Sequence, residues 1–164
     1  MNPRDRCPAA CFVIPAAKRL QSGTTATCCP SGSAVNILIA DDEKAHLFLL
    51  EMFLRKWGYR VYATNNGVEA LAWLEREEPP CLAILDWQMP GLDGVEVARR
   101  IKRGPRAAQI YIVMLTAKAQ RSDRRQALEA GIDAFLVKPY DPDELQQTLL
   151  EGERRMSPTD SPLS

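Results

Sequence analysis

The sequence lacks an apolar run long enough to cross a membrane, which takes about 20 residues. A short apolar stretch near the start, CFVIPAA, is broken by Pro15 and followed by Lys18 and Arg19, so it does not predict a secretory signal. The chain also has no excess of one charge, with 21 basic and 21 acidic side chains. Neither membrane association nor direct nucleic-acid binding is predicted, and a cytoplasmic location is expected.

Two phosphate-binding motifs are missing as well. Neither GxxxxGK[ST] nor GxGxxG occurs, so a nucleotide-binding module is not favoured. Histidine occurs once, as His46. It falls in a predicted helix, away from the ends of the predicted strands, and is interpreted as a surface residue. The chain is therefore not expected to be a histidine phosphodonor.

Cysteine is scarce outside the first 30 residues. Four of the five cysteines, Cys7, Cys11, Cys28 and Cys29, lie there among Pro, Ser, Thr and Gly. Their spacing is poor for zinc, so a metal knuckle is the alternative to a disordered or non-native extension. Cys81 opens an apolar run and is interpreted as a buried, small hydrophobic residue.

The rest of the chain alternates short apolar runs with amphipathic segments, and a composition of 46% hydrophobic and 26% charged residues fits one globular domain. Near-continuous apolar runs predict strands buried on both faces of a parallel sheet. The predicted strands are 35–40, 59–64, 81–86, 110–115 and 133–137, and the predicted helices are about 43–57, 67–77, 93–102, 121–131 and 142–151.

Five βα units with right-handed crossovers predict an α/β fold. The expected architecture is a flavodoxin-like, doubly wound, five-stranded parallel sheet of strand order 2-1-3-4-5, with helices on both faces. The domain is placed at residues 35–151. Residues 1–34 are predicted to be the disordered or non-native extension, and residues 152–164 have the composition of a disordered tail.

Polar residues come at the ends of four predicted strands. Asp41 and Asp42 follow strand 1, and Asp86, Thr116 and Lys138 come at the ends of strands 3, 4 and 5. Ligands of such sheets bind beyond the carboxyl ends of the strands, where the winding reverses between strands 1 and 3. Three neighbouring carboxylates repel one another, and a hard divalent ion such as Mg²⁺ relieves this while leaving positions open to phosphate oxygens. With a lysine and a hydroxyl nearby, Asp86 is the candidate nucleophile for an aspartyl phosphate.

The segments IADDE, DWQMPGLDG, MLTA and FLVKP, in this order and at these separations, resemble the receiver domain of two-component response regulators, including the single-domain chemotaxis receiver. The resemblance runs from about Val35 to Glu151. It implies that Asp42, Asp86 and the backbone carbonyl of Gln88 hold Mg²⁺, with Asp41 assisting through water.

The same resemblance implies that Asp86 accepts a phosphoryl group from a sensor histidine kinase or phosphotransfer protein, and that Lys138 and Thr116 bind the phosphoryl oxygens. Phe135 matches an aromatic switch position, and the Lys138–Pro139 peptide is expected to be cis. The domain would be no enzyme beyond catalysing its own phosphorylation and dephosphorylation. It would signal to a downstream protein through the face of helix 4, strand 5 and helix 5, roughly residues 118–147.

Several alternatives accompany this interpretation. A phosphohydrolase of the haloacid dehalogenase type would need DxDxT after strand 1, whereas residues 41–45 read DDEKA. Asp42 could merely cap the first helix, and Phe135 could be simple core packing. A degenerate receiver is disfavoured because every acidic and phosphate-binding position is filled. Only 13 residues follow Glu151, which leaves open a free-standing receiver or the receiver part of a longer regulator.

Overall fold

The computed structural model describes residues 34–156, except 77, 79 and 118–120. Its centre is a five-stranded sheet in which every neighbouring pair is parallel. The strands are β1 (Asn36–Ala40), β2 (Arg60–Thr64), β3 (Leu82–Asp86), β4 (Tyr111–Thr116) and β5 (Ala134–Val137). They lie in the order β2-β1-β3-β4-β5, which confirms the predicted fold.

Helices cover both faces of the sheet. They are α1 (Lys44–Lys56), α2 (Gly67–Leu74), α3 (Gly94–Arg103), α4 (Arg121–Glu129) and α5 (Pro142–Met156), with a short 3-10 helix at Ala107–Gln109. Alternate strand residues point to opposite faces. Ile37 and Ile39 therefore pack in one core with residues of α1 and α5, whereas Leu38 and Ala40 pack in a second core with residues of α2, α3 and α4.

The helices form where apolar spacing and capping residues direct them. Leu50 and Leu54 of α1, one turn apart, are fully buried, and burying such a side chain contributes about 1.5–3 kcal/mol. Side chains of Asn66 and Asp93 cap α2 and α3 by accepting hydrogen bonds from the amides of Glu69 and Glu96. These two caps fix where the polar loops after β2 and β3 give way to helix.

The last helix is longer than the sequence indicates. Gly152 suggests a stop, but α5 continues to Met156, so the assignment of residues 152–156 to a disordered tail is wrong. A Cβ atom at Gly152 would lie 2.6 Å from Cδ1 of Tyr111 and 2.9 Å from Cδ2 of Leu82. This glycine lets α5 approach the sheet closely. The predicted extension up to residue 33 and the tail from residue 157 lie outside the described residues.

Two smaller expectations concern the described residues. Cys81 is buried, with 2% of its surface exposed, which confirms its interpretation as a small core residue. Among the helices in the described ranges, none is long and apolar enough to cross a membrane.

Candidate functional site

Three carboxylates meet at the carboxyl ends of β1 and β3. These strands are neighbours, with Ala40 opposite Leu85, so Asp41 directly after β1 and Asp86 at the end of β3 come together. One oxygen from each of Asp41, Asp42 and Asp86 lies within 4.8 Å of the others. Asp41 and Asp86 are buried and Asp42 is exposed. The predicted acidic cluster is therefore present.

Lys138 joins this cluster from the end of β5. Its Nζ lies 2.9 Å from Oδ2 of Asp41 and 3.3 Å from Oδ1 of Asp86. Its amide donates to the Thr116 carbonyl at 2.7 Å, which ties Lys138 to the end of β4, where Thr116 is buried. The Lys138–Pro139 peptide is cis, as predicted.

Burial and charge act differently on the two buried carboxylates. Burial raises the pKa of Asp86, Lys138 opposes this, and the charges of Asp41 and Asp42 add to it, so that the net pKa is raised. Burial would also raise the pKa of Asp41, but hydrogen bonds from His46, Lys138 and the Glu43 amide outweigh it and lower the pKa. For Lys138, burial lowers the pKa, yet contacts with Asp41 and Asp86 more than offset this and raise it.

The charge balance of the cluster favours a cation. One lysine faces three carboxylates, and a set of oxygen ligands partly open to solvent suits Mg²⁺. A cleft of about 520 Å³ opens beside them, lined by Asp42, Trp87, Gln88, Met89, Pro90 and Asp93. The residues present therefore fit a hydrated divalent ion.

The loop after β3 is held tightly against the sheet. The Trp87 amide donates to the Leu115 carbonyl at 2.9 Å, and the Gly94 amide donates to the Trp87 carbonyl at 3.0 Å. A Cβ atom at Gly94 would lie 2.2 Å from the Asp86 carbonyl oxygen. A glycine at this position lets α3 begin directly over β3, and this fixes the cleft that Gln88 lines.

Phe135 lies between the cleft and α4. Its ring meets the Trp87 ring edge to face, with centroids 6.4 Å apart, and the Arg124 guanidinium lies 5.9 Å from its centroid. The ring is partly buried and packs against the core that contains α2, α3 and α4. It is therefore next to a residue of the site and to the predicted output helix.

His46 is not the surface residue that the sequence predicts. It was interpreted as a surface residue away from the strand ends, but its Nδ1 hydrogen-bonds Oδ2 of Asp41, and its side chain is only 17% exposed. Its Nε2 lies 2.7 Å from the Tyr140 hydroxyl. Tyr140 is not among the residues that the sequence predicts for the site. His46 lies in the first turn of α1, close to the sheet edge, and this proximity was the available signal.

The capping alternative for Asp42 is not supported. The residue preceding α1 is Glu43, and its amide donates to Oδ1 of Asp41 at 2.9 Å. Asp42 instead lines the cleft beside Trp87 and Gln88. Its side chain thus remains available to the acidic cluster.

Comparisons with known proteins identify the class. The sequence model described as the response regulator receiver domain matches residues 37–150. The phosphate regulon transcriptional regulatory protein PhoB of Pseudomonas aeruginosa is 39% identical over 125 residues, which cover 76% of this chain and 54% of that protein. The chain spans about half, or less, of the length of the curated relatives it matches.

Solved structures agree. A CheY-like receiver domain protein from Methanospirillum hungatei has a TM-score of 0.69 at 30% identity, covering 75% of this chain and 97% of that one. The receiver domain of the sensor histidine kinase PA1611 from Pseudomonas aeruginosa, solved with a magnesium ion in its active-site cleft, has a TM-score of 0.66 at 31% identity, covering 76% and 98%.

The chain belongs to the response regulator receiver domain family of two-component systems. Receiver domains are phosphoacceptor signalling domains that bind Mg²⁺ in their acidic site and interact with histidine kinases or phosphotransfer proteins. The comparisons do not favour the haloacid dehalogenase alternative.

Proposed function

We propose that Asp86 accepts a phosphoryl group from a phosphohistidine of a sensor histidine kinase or phosphotransfer protein. A carboxylate oxygen of Asp86 attacks the phosphorus, the bond from phosphorus to the donor nitrogen breaks, and the nitrogen keeps the electron pair. The observation that carries this proposal is the position of Lys138, whose Nζ lies 3.3 Å from Oδ1 of Asp86. A fixed cation at this position stabilises the negative charge on the oxygens of the transferred phosphoryl group.

Asp86 is a better acceptor than its two neighbours. Both oxygens of Asp41 already accept hydrogen bonds, from His46, Lys138 and the Glu43 amide, so an attack by Asp41 would break them. Asp42 is exposed at the cleft and has no such lysine contact among the described residues. Burial raises the pKa of Asp86, and this reflects a carboxylate that is poorly stabilised as an anion and so is disposed to react.

The proposed metal ligands are Asp42, Asp86 and the backbone carbonyl of Gln88, with Asp41 assisting through water. The arrangement of three carboxylates with oxygens within 4.8 Å supports this set. When bound, Mg²⁺ would neutralise charge on the carboxylates and on the arriving phosphoryl oxygens. Lys138 and the Thr116 hydroxyl would bind phosphoryl oxygens from the other side.

The proposed output face is formed by α4, β5 and α5. A groove of about 310 Å³ on it is lined by Arg124, Ala127, Leu128, Ile132, Asp133, Ala134 and Phe135, and Leu128 is 74% exposed. Movement of Thr116 toward the phosphoryl group would leave room for the Phe135 ring, which is a two-state element biased by local charge. The occupant is a downstream protein. A cytoplasmic location and the lack of direct nucleic-acid binding stay predictions.

Labelling with a small phosphodonor tests this function. Phosphoramidate with Mg²⁺ should add one phosphoryl group to the wild type, read as intact mass, and Asp86→Asn should abolish the addition. Self-catalysed loss of the group on removal of the donor would support the proposal that the domain catalyses its own dephosphorylation.

Asp141→Asn is the matched control. Asp141 is an exposed carboxylate three residues after Lys138, and asparagine can keep its hydrogen bond to the Asp143 amide. This variant should label like the wild type. Undiminished labelling of Asp86→Asn would overturn the assignment.

A further inference from the structure

His46 lies between two polar groups of different segments. Its Nδ1 contacts Oδ2 of Asp41 at the end of β1, and its Nε2 lies 2.7 Å from the hydroxyl of Tyr140, which follows β5. The imidazole and phenol rings meet at an interplanar angle of 65°, with centroids 5.7 Å apart. This ring therefore touches the acidic cluster through Asp41, and none of the roles assigned above uses it.

The Asp41 carboxylate is almost fully engaged by protein donors. Oδ1 accepts from the Glu43 amide at 2.9 Å, and Oδ2 accepts from Lys138 at 2.9 Å and from His46. An ionised carboxylate offers about four acceptor positions, so three are occupied. These donors come from three different parts of the chain, so together they hold the carboxylate in one orientation.

Tyr140 fixes the histidine in turn. Burial and the Asp41 charge raise the pKa of the Tyr140 hydroxyl to about 12, so the hydroxyl keeps its proton near neutral pH. A carboxylate oxygen only accepts hydrogen bonds, so Nδ1 of His46 donates to Asp41, and the Tyr140 hydroxyl is the partner of Nε2. The chain of hydrogen bonds runs from Tyr140 through His46 to Asp41 and Lys138.

We propose that His46 is a positioning residue, which holds Asp41 as the counter-ion of Lys138, and that Tyr140 holds His46 in place. This inference rests on the proposed function, since Lys138 is the group whose placement then matters for phosphoryl transfer. It also assigns a role to each oxygen of Asp41. Oδ2 accepts hydrogen bonds from His46 and Lys138, and Oδ1, which accepts one from the Glu43 amide, keeps one acceptor position for a water of the metal ion.

Removing the His46 donor should have two opposite effects. Asp41 would gain freedom to turn toward the cleft, where its charge strengthens attraction for Mg²⁺, while Lys138 would lose its fixed partner. Loss of one charge-assisted hydrogen bond should slow labelling at saturating Mg²⁺ about tenfold, and the freed charge should tighten Mg²⁺ binding about threefold. If His46 only supported the fold, its removal would slow labelling and also weaken Mg²⁺ binding.

The experiment compares three variants with the wild type. His46→Leu removes both ring nitrogens, His46→Asn keeps an N–H near the position of Nδ1, and Met52→Leu changes an exposed residue of the same helix. Mg²⁺ affinity is measured by tryptophan fluorescence, since Trp87 lines the cleft, and the rate is measured by phosphoramidate labelling. We expect slower labelling and tighter Mg²⁺ binding in His46→Leu. His46→Asn should restore both quantities toward wild-type values, and Met52→Leu should change neither.

Wild-type values of both quantities in His46→Leu, or weakening of both without rescue by His46→Asn, would overturn the proposal. Should His46→Leu not fold, the ¹⁵N spectrum of the imidazole in Mg²⁺-free wild type and in Tyr140→Phe decides. The proposal expects a proton on Nδ1 in the wild type and in Tyr140→Phe, with a changed Nε2 shift in the variant because its hydroxyl partner is gone, and an Nδ1 without a proton in the wild type contradicts it. This spectrum needs no phosphorylation, so failure of the wild type to label would count against the proposed function alone.

Discussion

Trp87 and Phe135 meet edge to face, with ring centroids 6.4 Å apart and ring planes at 87°. Trp87 directly follows Asp86 in the chain, and Phe135 lies in β5 beside Arg124 of α4. An aromatic pair of this kind contributes about 0.5–1.5 kcal/mol beyond its buried area. A change at Asp86 that moves one ring therefore has an energetic consequence for the other, on the side of the proposed output face.

Thr116→Ala should separate phosphorylation from output. Without the hydroxyl, Asp86 can still take the phosphoryl group, but nothing draws the end of β4 inward. Beryllofluoride should shift amide resonances across residues 118–147 in the wild type and far less in the variant. Thr64→Ala, at the buried end of β2, should behave like the wild type. The full response in Thr116→Ala, or no response in the wild type, would refute the Thr116–Phe135 coupling.

Mg²⁺ should raise the melting temperature of the wild type. An ion that binds only the folded state stabilises it by about 2.7 kcal/mol at one hundred times its dissociation constant. Asp42→Ala should remove this dependence, because Asp42 contributes one of the three carboxylates. Differential scanning calorimetry with and without Mg²⁺ decides. An equal shift in wild type and variant would count against the cluster as the site.

The two buried carboxylates should affect stability in opposite directions in Mg²⁺-free protein at neutral pH. The pKa of Asp41 is lowered by folding, so its ionised form adds stability above the ordinary carboxyl pKa, and this is lost as pH falls through the folded value. The pKa of Asp86 is raised, so ionisation costs stability as pH rises through the folded value. Urea unfolding should find Asp41→Asn less stable and Asp86→Asn more stable, each by on the order of 1 kcal/mol. Changes in the free energy of unfolding that have the same sign in both variants would contradict these pKa shifts.

Gly94→Ala should lower the free energy of unfolding by about 1–3 kcal/mol, the range for overpacked sites. The new Cβ would lie 2.2 Å from the Asp86 carbonyl oxygen and 3.1 Å from Sδ of Met114, so α3 must move away from β3. Gly104→Ala is the control, because its Cβ would have no neighbour closer than 3.4 Å. Equal stability losses in both would show that the close approach at Gly94 is unimportant.

The sheet could be predicted because its three central strands, β1, β3 and β4, are buried on both faces. Runs such as ILIA and LAIL contain no polar residue that could suggest the period of an amphipathic helix. The polar residue after each run marks the end of the strand. Asp41, Asp86, Thr116 and Lys138 were therefore placed at one edge from their order alone. The structure adds the distances that make them one site.

The errors concern side-chain direction and close approach. The helical period identified α1 but not that His46, in its first turn, would point back at Asp41, since this depends on the angle between α1 and β1. Gly152 signals a helix end in the sequence, yet it fits beneath Tyr111 because the sheet is near. Both outcomes depend on tertiary distances that a one-dimensional pattern does not contain.

Locating the phosphoryl group on the chain decides whether Asp86 is the acceptor. The wild type is labelled with phosphoramidate and Mg²⁺, reduced with borohydride, which converts an aspartyl phosphate to homoserine, and digested for peptide mass spectrometry. We predict homoserine at position 86 and at no other aspartate. Homoserine at position 41 or 42, or an unmodified residue 86 in protein that carries the label, would contradict it.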